Sequence, residues 1–165
     1  MINPKAIPFK EIEKIVSDYR VNNPGKKVVT TNGAFDIMHA GHAKSLALAK
    51  SFGDLLVVGL NSDSSIKKYK SPDRPIISQD ERAIMLAALQ AVDYVTIFEE
   101  TDPIKFLEAV KPDIHVKSKS GYKGIEGPTV EKYGKVILIE DVAGISTTDI
   151  INRILEIENA HGKNN

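Results

Sequence analysis

The chain has 165 residues, 42% of them hydrophobic, which suits one compact domain. Its 22 basic and 22 acidic residues balance, so no bulk field gathers nucleic acid or an anionic membrane, and any anion site is local. Without cysteine, the chain offers no disulfide, thiolate nucleophile or thiolate metal site. No stretch approaches about 18 consecutive apolar residues, so we expect a soluble cytoplasmic protein with no membrane partner.

Short β-branched runs alternate along the chain with stretches of helical spacing. The predicted strands are 27–31, 55–60, 94–97, 114–116 and 136–139, and the predicted helices are 8–21, 41–52, 78–90, 103–110 and 147–158. This alternation predicts an α/β fold, a Rossmann-like doubly wound parallel sheet of about five strands. The expected divisions are an N-terminal helical extension at 1–26, the main domain at 27–158 and a flexible tail at 159–165.

Two segments between these elements are expected to be irregular. Segment 67–77 combines four basic residues with two prolines and is interpreted as a mobile basic connection. Segment 117–128 holds three glycines among lysines and serines. Ligands of open parallel sheets bind beyond the carboxyl ends of the strands, so both segments are candidate lids or substrate walls.

Two histidines follow the first predicted strand. His39 and His42 are three residues apart, which places them on the same side of an incipient helix, and Gly41 permits close backbone approach. The start of that helix leaves amide donors free and carries partial positive charge, which suits a phosphate. Two imidazoles beside those donors would contact charge that develops on a pentacoordinate phosphorus.

Several segments resemble a known family when they are taken in chain order. They are Gly33-Ala34-Phe35-Asp36, His39-Ala40-Gly41-His42, 58–63, Arg74-Pro75-Ile76, Glu81-Arg82 and 144–148. This series resembles the His-x-Gly-His nucleotidyltransferases of the cytidylyltransferase-like family, over residues 27–154. The resemblance implies that residues 27–158 form a nucleotidyltransferase domain.

Further segments help to distinguish between two branches of this family. Asn61-Ser62-Asp63, Phe98-Glu99-Glu100 and Val116-Lys117 resemble the adenylyltransferases that act on D-glycero-D-manno-heptose 1-phosphate. Glycerol-phosphate cytidylyltransferases share the elements around the histidines and at 145–148, and Lys44 is similar to a lysine of theirs. Segment 117–122 departs from the heptose branch, since lysine and serines replace a glycine pair and an aspartate.

The resemblance implies transfer of AMP from ATP to a sugar 1-phosphate, with heptose 1-phosphate expected, forming ADP-sugar and pyrophosphate for lipopolysaccharide or surface-glycan synthesis. Mg²⁺ would accompany ATP, the partners would be small molecules rather than nucleic acid, and the protein would form a homodimer. Two alternatives stay open. One is a CTP-dependent cytidylyltransferase acting on glycerol 3-phosphate or another polyol phosphate, and the other is a nucleotide-binding sensor without turnover.

The same resemblance assigns roles to individual residues, and no residue is predicted to bind a metal directly. The predicted catalytic residues are His39, His42, Lys44 and Arg82. The predicted nucleotide contacts are Thr31, Asn32, Gly33, Ala34, Phe35, Gly41, His42, Asn61, Arg82, Ser146, Thr147 and Thr148. The predicted substrate contacts are Asp36, Lys70, Arg74 and Lys117. Each has an ordinary alternative, such as core packing for Phe35, an N-cap for Ser146 or a solvated charge for Arg82.

Overall fold

Five strands form one parallel sheet in the computed structural model, which describes residues 4–162. The strands are β1 (Val28–Gly33), β2 (Leu55–Asn61), β3 (Tyr94–Phe98), β4 (Ile114–Ser118) and β5 (Lys135–Ile139). They lie in the order β3-β2-β1-β4-β5, and each neighbouring pair is parallel. The chain builds outward from β1 in one direction and then crosses back to β4, so the predicted doubly wound, Rossmann-like fold is confirmed.

Helices cover both faces of this sheet. Within residues 4–162 they are α1 (Phe9–Asn22), α2 (Ala40–Lys50), α3 (Asp63–Tyr69), α4 (Gln79–Ala88), α5 (Ile104–Val110), α6 (Gly127–Val130) and α7 (Thr147–Gly162). Helices α2 and α4 contribute buried side chains to one core layer, and α1, α5 and α6 contribute to the other. Successive residues of a strand point to opposite faces, so a buried strand must be apolar along its whole length.

Strand β2 shows how the sheet serves both layers. Leu56 and Val58 belong to the layer beneath α2 and α4, whereas Leu55 and Val57 belong to the layer beneath α1 and α5. Burial of each apolar side chain of this kind contributes about 1.5–3 kcal/mol to the free energy of folding. The continuous apolar run therefore suits β2 to an interior position of the sheet, between β3 and β1.

Two short helices were not predicted, and they correct only the ends of the two segments expected to be irregular. Residues 70–77 and 119–126 are irregular, as expected. Segment 67–77 is helical at its start, because α3 extends to Tyr69 and is held by the fully buried Ile66. Segment 117–128 is regular at both ends. Its first two residues continue β4 by pairing with β5, and α6 begins at Gly127, anchored by the buried Val130. Tertiary burial overrode the local composition only at these segment ends.

The ends of the chain relate differently to the core. Helix α1 enters the core through Ile12 and Val16, although a domain boundary at residue 26 stays a prediction. Helix α7 continues to Gly162, so 159–162 of the expected tail are helical, while 1–3 and 163–165 lie outside the described residues. None of the described helices is both long and apolar enough to cross a bilayer.

Candidate active site

A cleft of about 720 Å³ opens at the carboxyl ends of β1, β4 and β5. This is the edge at which open α/β sheets bind ligands. The predicted site residues that line it are Thr31, Asn32, Gly33, Ala34, Phe35, Asp36, His39, Gly41, His42, Lys70, Lys117, Ser146, Thr147 and Thr148. The structure thus brings the turn after β1 and the start of α7 to one cleft, although they are more than a hundred residues apart in sequence.

The two histidines of the β1–α2 turn lie against each other. Their rings are stacked, with centroids 3.9 Å apart and planes inclined by 23°, so the expected placement on one side of the helix start is confirmed. Within the described residues, the buried Nδ1 atom of each ring has no hydrogen-bond partner. Buried polar atoms are normally paired, so these two ring nitrogens are unusual among the side chains that line the cleft.

The surroundings of these rings keep them uncharged at neutral pH. Burial, with smaller contributions from His39 and Lys70, lowers the pKa of His42 to about 4. Burial also lowers the pKa of His39, although the carboxylate of Asp149 opposes this shift. Neutral imidazoles retain one N–H donor each, which suits contact with phosphate oxygens without proton transfer.

Close packing around Gly41 explains why this position has no side chain. A Cβ there would lie 2.9 Å from atoms of the His39 ring and 3.3 Å from the Ile145 side chain. Phe35 supports the other side of the pair, with its ring edge against His42 at a centroid distance of 5.3 Å. Phe35 has a positive φ of 46°, a strained conformation for a bulky residue that is common at functional sites.

Helix α7 supplies the second wall of the cleft. Ser146 precedes the helix, accepts a hydrogen bond from the Asp149 amide at 3.1 Å and donates to the Asp149 carboxylate at 2.7 Å. The interpretation of Ser146 as an N-cap is therefore confirmed. The starts of α2 and α7 both line the cleft, and each carries free amide donors and partial positive charge.

Asp36 lines the cleft but is already occupied by protein donors. Its carboxylate, 2% exposed, pairs with Arg74 Nε at 2.6 Å and accepts the amides of Ile76 and Ile77 at 2.8 and 3.0 Å. Asp36 therefore fastens the connection after α3 to the turn after β1. Arg74, its partner, is not among the residues that line the cleft.

Arg82 has a similar structural setting. Its side chain is fully buried, and it donates to Ile77 O at 2.9 Å, to Asp63 Oδ1 at 2.7 Å and to Ala34 O. The guanidinium thus joins α3, α4 and the turn after β1, and it does not line the cleft. The structure directs Arg82 towards protein acceptors, where the sequence predicted contact with phosphates.

Two further predicted residues lie away from the cleft. Lys44 is exposed on α2 and does not line it. Asn61 is buried at the end of β2, where its amide donates to Ser65 Oγ at 3.1 Å. Lys70, in contrast, does line the cleft. Desolvation lowers its pKa, and the positive charge of Arg74 adds to this shift.

Sequence analysis missed part of the cleft. The additional lining residues with polar groups or close contacts include Ser45, Ser118, Ser120, Gly121, Asp141, Ile145 and Asp149. Ser120 donates to the Asp141 carboxylate through its amide at 3.1 Å and its hydroxyl at 2.6 Å. Their position directly after β4 and β5 was the available signal, because strand ends of a parallel sheet meet at one edge. No group of three or more metal-ligating side chains occurs in residues 4–162.

Comparison with known proteins identifies the family to which the sequence is similar. A family model described as cytidylyltransferase-like matches residues 30–153. The bifunctional protein HldE of Campylobacter concisus (strain 13826) is 51% identical over 155 residues, covering 94% of this chain and 32% of that protein. The bifunctional protein HldE of Aliarcobacter butzleri (strain RM4018) is 47% identical over 150 residues, covering 91% and 31%. The chain spans about a third of the length of these curated relatives.

A solved structure shows the same fold. The crystal structure of the lipopolysaccharide core biosynthesis protein from Thermoplasma volcanium GSS1 superposes with a TM-score of 0.63 at 28% identity, covering 72% of this chain and 99% of that chain. The fold and the cleft define a Rossmann-like α/β protein whose site lies at the carboxyl ends of its strands. The chain belongs to the cytidylyltransferase-like family, and the resemblance found in the sequence is confirmed.

Proposed function

We propose that this chain transfers AMP from ATP to a sugar 1-phosphate, with heptose 1-phosphate the expected acceptor, and forms ADP-sugar and pyrophosphate. The observation that carries this proposal is the stacked pair of His39 and His42, whose Nδ1 atoms lack partners among the described residues. Family membership and the identity with bifunctional HldE proteins support the same chemistry. The name of the Thermoplasma volcanium protein supports a role in lipopolysaccharide or surface-glycan synthesis.

The proposed reaction is an in-line displacement at the α-phosphorus of ATP. An oxygen of the acceptor phosphate forms the new P–O bond, and the bond from that phosphorus to the oxygen bridging to the β-phosphate breaks, so pyrophosphate leaves. The imidazole N–H groups of His39 and His42 and the ammonium groups of Lys70 and Lys117 would stabilise the developing negative charge. Amides at the two helix starts add donors, and no covalent intermediate is needed.

The carboxylates that line the cleft indicate how a metal ion would be held. Asp36, Asp141 and Asp149 each accept hydrogen bonds from protein donors, and no cluster of three or more metal-ligating side chains occurs in residues 4–162. This donor set fits Mg²⁺ that is carried by the phosphates of ATP and keeps most of its waters. The ion would neutralise phosphate oxygens, while side chains of the cleft orient the two substrates.

The cytidylyltransferase alternative has weaker support from the site. Its sequence support included Lys44, but this side chain is exposed and does not line the cleft. Ser120 is hydrogen-bonded to Asp141, which lies on the segment that leads into α7. Because the start of α7 carries predicted nucleotide contacts, the departure at 117–122 concerns the nucleotide as well as the acceptor. The choice of base is therefore tested together with the acceptor.

A substrate matrix tests the proposal. The purified chain and Mg²⁺ are combined with ATP, CTP, GTP or UTP and with both anomers of heptose 1-phosphate, other sugar 1-phosphates or glycerol 3-phosphate, and pyrophosphate release is measured. We expect turnover with ATP and heptose 1-phosphate. Activity confined to CTP would overturn the adenylyl assignment. Tight ATP binding without product from any acceptor would identify a nucleotide-binding sensor instead.

The proposal also includes a cytoplasmic homodimer acting on small molecules, with no nucleic-acid partner. The balanced charge of the chain supports the absence of nucleic acid, and two-fold dimers are the commonest assembly of soluble proteins. Light scattering at assay concentration measures the assembly directly. The mass of one chain would contradict the dimer and leave the chemistry untouched.

A further inference from the structure

A buried ion pair lies between the end of β4 and the start of α6. Lys117 Nζ is 3.8 Å from Glu126 Oε1, and the two side chains are 12% and 4% exposed. Lys117 also donates to the main-chain and side-chain oxygens of Asn32, both at 3.2 Å. Lys117 and Asn32 line the cleft, whereas Glu126 does not.

We propose that Glu126 is a positioning residue, which keeps the Lys117 ammonium charged and directed at the floor of the cleft, where this charge meets a phosphate group of a substrate. An ammonium has three N–H donors. Two of these donors bond to Asn32, and the carboxylate of Glu126, at the start of α6, lies within ion-pair distance of the same ammonium. The inference rests on the proposed function only for the identity of the anion.

The setting of Glu126 differs from that of the loop around it. Lys123, Gly124 and Ile125 are exposed, whereas Glu126 is buried and its carbonyl accepts the Val130 amide at 3.0 Å as α6 begins. Val130 is itself buried in the core, so the main chain of Glu126 has a rigid support. A glutamate at the edge of a glycine-rich loop would ordinarily extend into solvent.

Protein partners only partly offset the lost hydration of the Glu126 carboxylate. Its Oε2 atom is buried and has no hydrogen-bond partner among the described residues. Burial of a carboxylate is costly unless a cation or donors offset the lost hydration. Within ion-pair distance, Lys117 provides that cation. The unpaired oxygen indicates that Glu126 is placed for its charge, because a residue needed only for packing would be apolar.

The charge state of Lys117 depends on this neighbour. Burial lowers the pKa of Lys117, the carboxylate of Glu126 opposes the shift, and the positive charge of Lys123 adds to it. His115 lies on the same strand, but burial lowers the pKa of its ring to about 3, so it is neutral and does not compete for Glu126. Removal of the Glu126 charge would therefore let Lys117 lose its proton at lower pH.

The test compares Glu126→Gln and Glu126→Asp with the wild-type chain and with Glu131→Gln. Glu131 is the matched control, since it is an exposed glutamate at the end of the same short helix. The titration of Lys117 is followed by NMR of ¹³C-labelled lysine side chains, with its signal assigned from Lys117→Gln. The pH profile of kcat/KM is measured for each variant in parallel.

We expect Glu126→Gln to lower the pKa of Lys117 and to move the alkaline limb of kcat/KM to lower pH. At alkaline pH the loss of kcat/KM should be about tenfold or more, since an uncharged Lys117 no longer makes a charge-assisted hydrogen bond to the substrate phosphate. Glu126→Asp keeps the charge on a shorter side chain, so it should give a smaller shift in the same direction. Glu131→Gln should match the wild type.

Each outcome separates this inference from the proposed function. A Lys117 titration that is unchanged in Glu126→Gln would overturn the inference, even in a less stable variant, because a purely structural role predicts that result. If Glu126→Gln does not fold, Glu126→Met, which also removes the charge at similar side-chain length, takes its place, and an unchanged Lys117 titration in that variant has the same meaning. If the wild type turns over no acceptor, the proposed function fails, and the NMR titration still decides the role of Glu126.

Discussion

Two groups of polar side chains lie in the segments that resemble the family, and they differ in how many of their hydrogen-bonding atoms have protein partners. Asp36 and Arg82 are buried, and each is bonded to several protein partners that join separate segments. His39 and His42 bury their Nδ1 atoms without a partner among the described residues. The first group holds together the segments around the cleft, whereas the second has ring nitrogens that the described residues leave unpaired.

This difference teaches how to divide the residues that carry a resemblance. Position within a recognised segment indicates that a residue matters, but the hydrogen bonds it already makes indicate whether it acts on the fold or on the substrate. Removal of a residue of the first group should therefore cost stability. Removal of a residue of the second group should cost turnover and leave stability nearly unchanged.

The largest expected effect on stability is that of Arg82→Met. The change leaves the acceptors Ala34 O, Ile77 O and Asp63 without their buried donor, so we expect the free energy of unfolding to fall by about 3–5 kcal/mol. Urea denaturation measures this. Arg153→Met, on an exposed face of α7, should change it by less than about 0.5 kcal/mol. A stable Arg82→Met variant with greatly reduced kcat would place Arg82 in the second group.

The histidine variants should show the opposite pattern. His39→Ala or His42→Ala removes one preorganised donor beside the phosphates, so we expect kcat to fall by a factor of about 10² to 10³. Steady-state kinetics with the best substrate pair measures the loss, and thermal unfolding checks that each variant is folded. Near-normal turnover in either variant would contradict the assignment of the pair to the substrate.

An intermediate effect is expected from acid. The pKa of His42 is about 4 in the folded protein and near 6.5 when exposed, so the unfolded chain binds more protons between these values. His115, with a pKa of about 3, acts in the same direction. The free energy of unfolding should therefore decrease as pH falls from about 6.5 towards 4. Urea midpoints across this range measure the slope, which should be shallower in His42→Asn; an equal slope would contradict burial of a neutral ring.

The smallest effect is expected at Lys44, which the resemblance placed among the catalytic residues. Its side chain is exposed and away from the cleft, so Lys44→Ala should change kcat/KM by no more than about twofold. Lys70→Ala is the matched comparison, because that lysine does line the cleft and should cause a larger loss. A loss in Lys44→Ala as large as in the histidine variants would show that α2 contributes a cation to the reaction.

Much of the fold was predictable because its signals are local. The apolar run of β2 and the capping box of Ser78 and Glu81 specify a strand and a helix start within a few residues. The short helices α3 and α6 escaped prediction because they depend on burial of Ile66 and Val130 by distant parts of the chain. Composition alone made their segments resemble loops.

The sequence by itself indicated the family, through the resemblance of its motifs. Its spacing indicated the five strands, five of the seven described helices and the pair of histidines at the start of α2. Only the tertiary structure decided which charged residues face the cleft. It turned Arg82 towards protein acceptors, left Lys44 in solvent and placed Glu126 against Lys117. The physical reason is that the partners of a charged group are often distant in sequence, so they become its neighbours only when the chain folds.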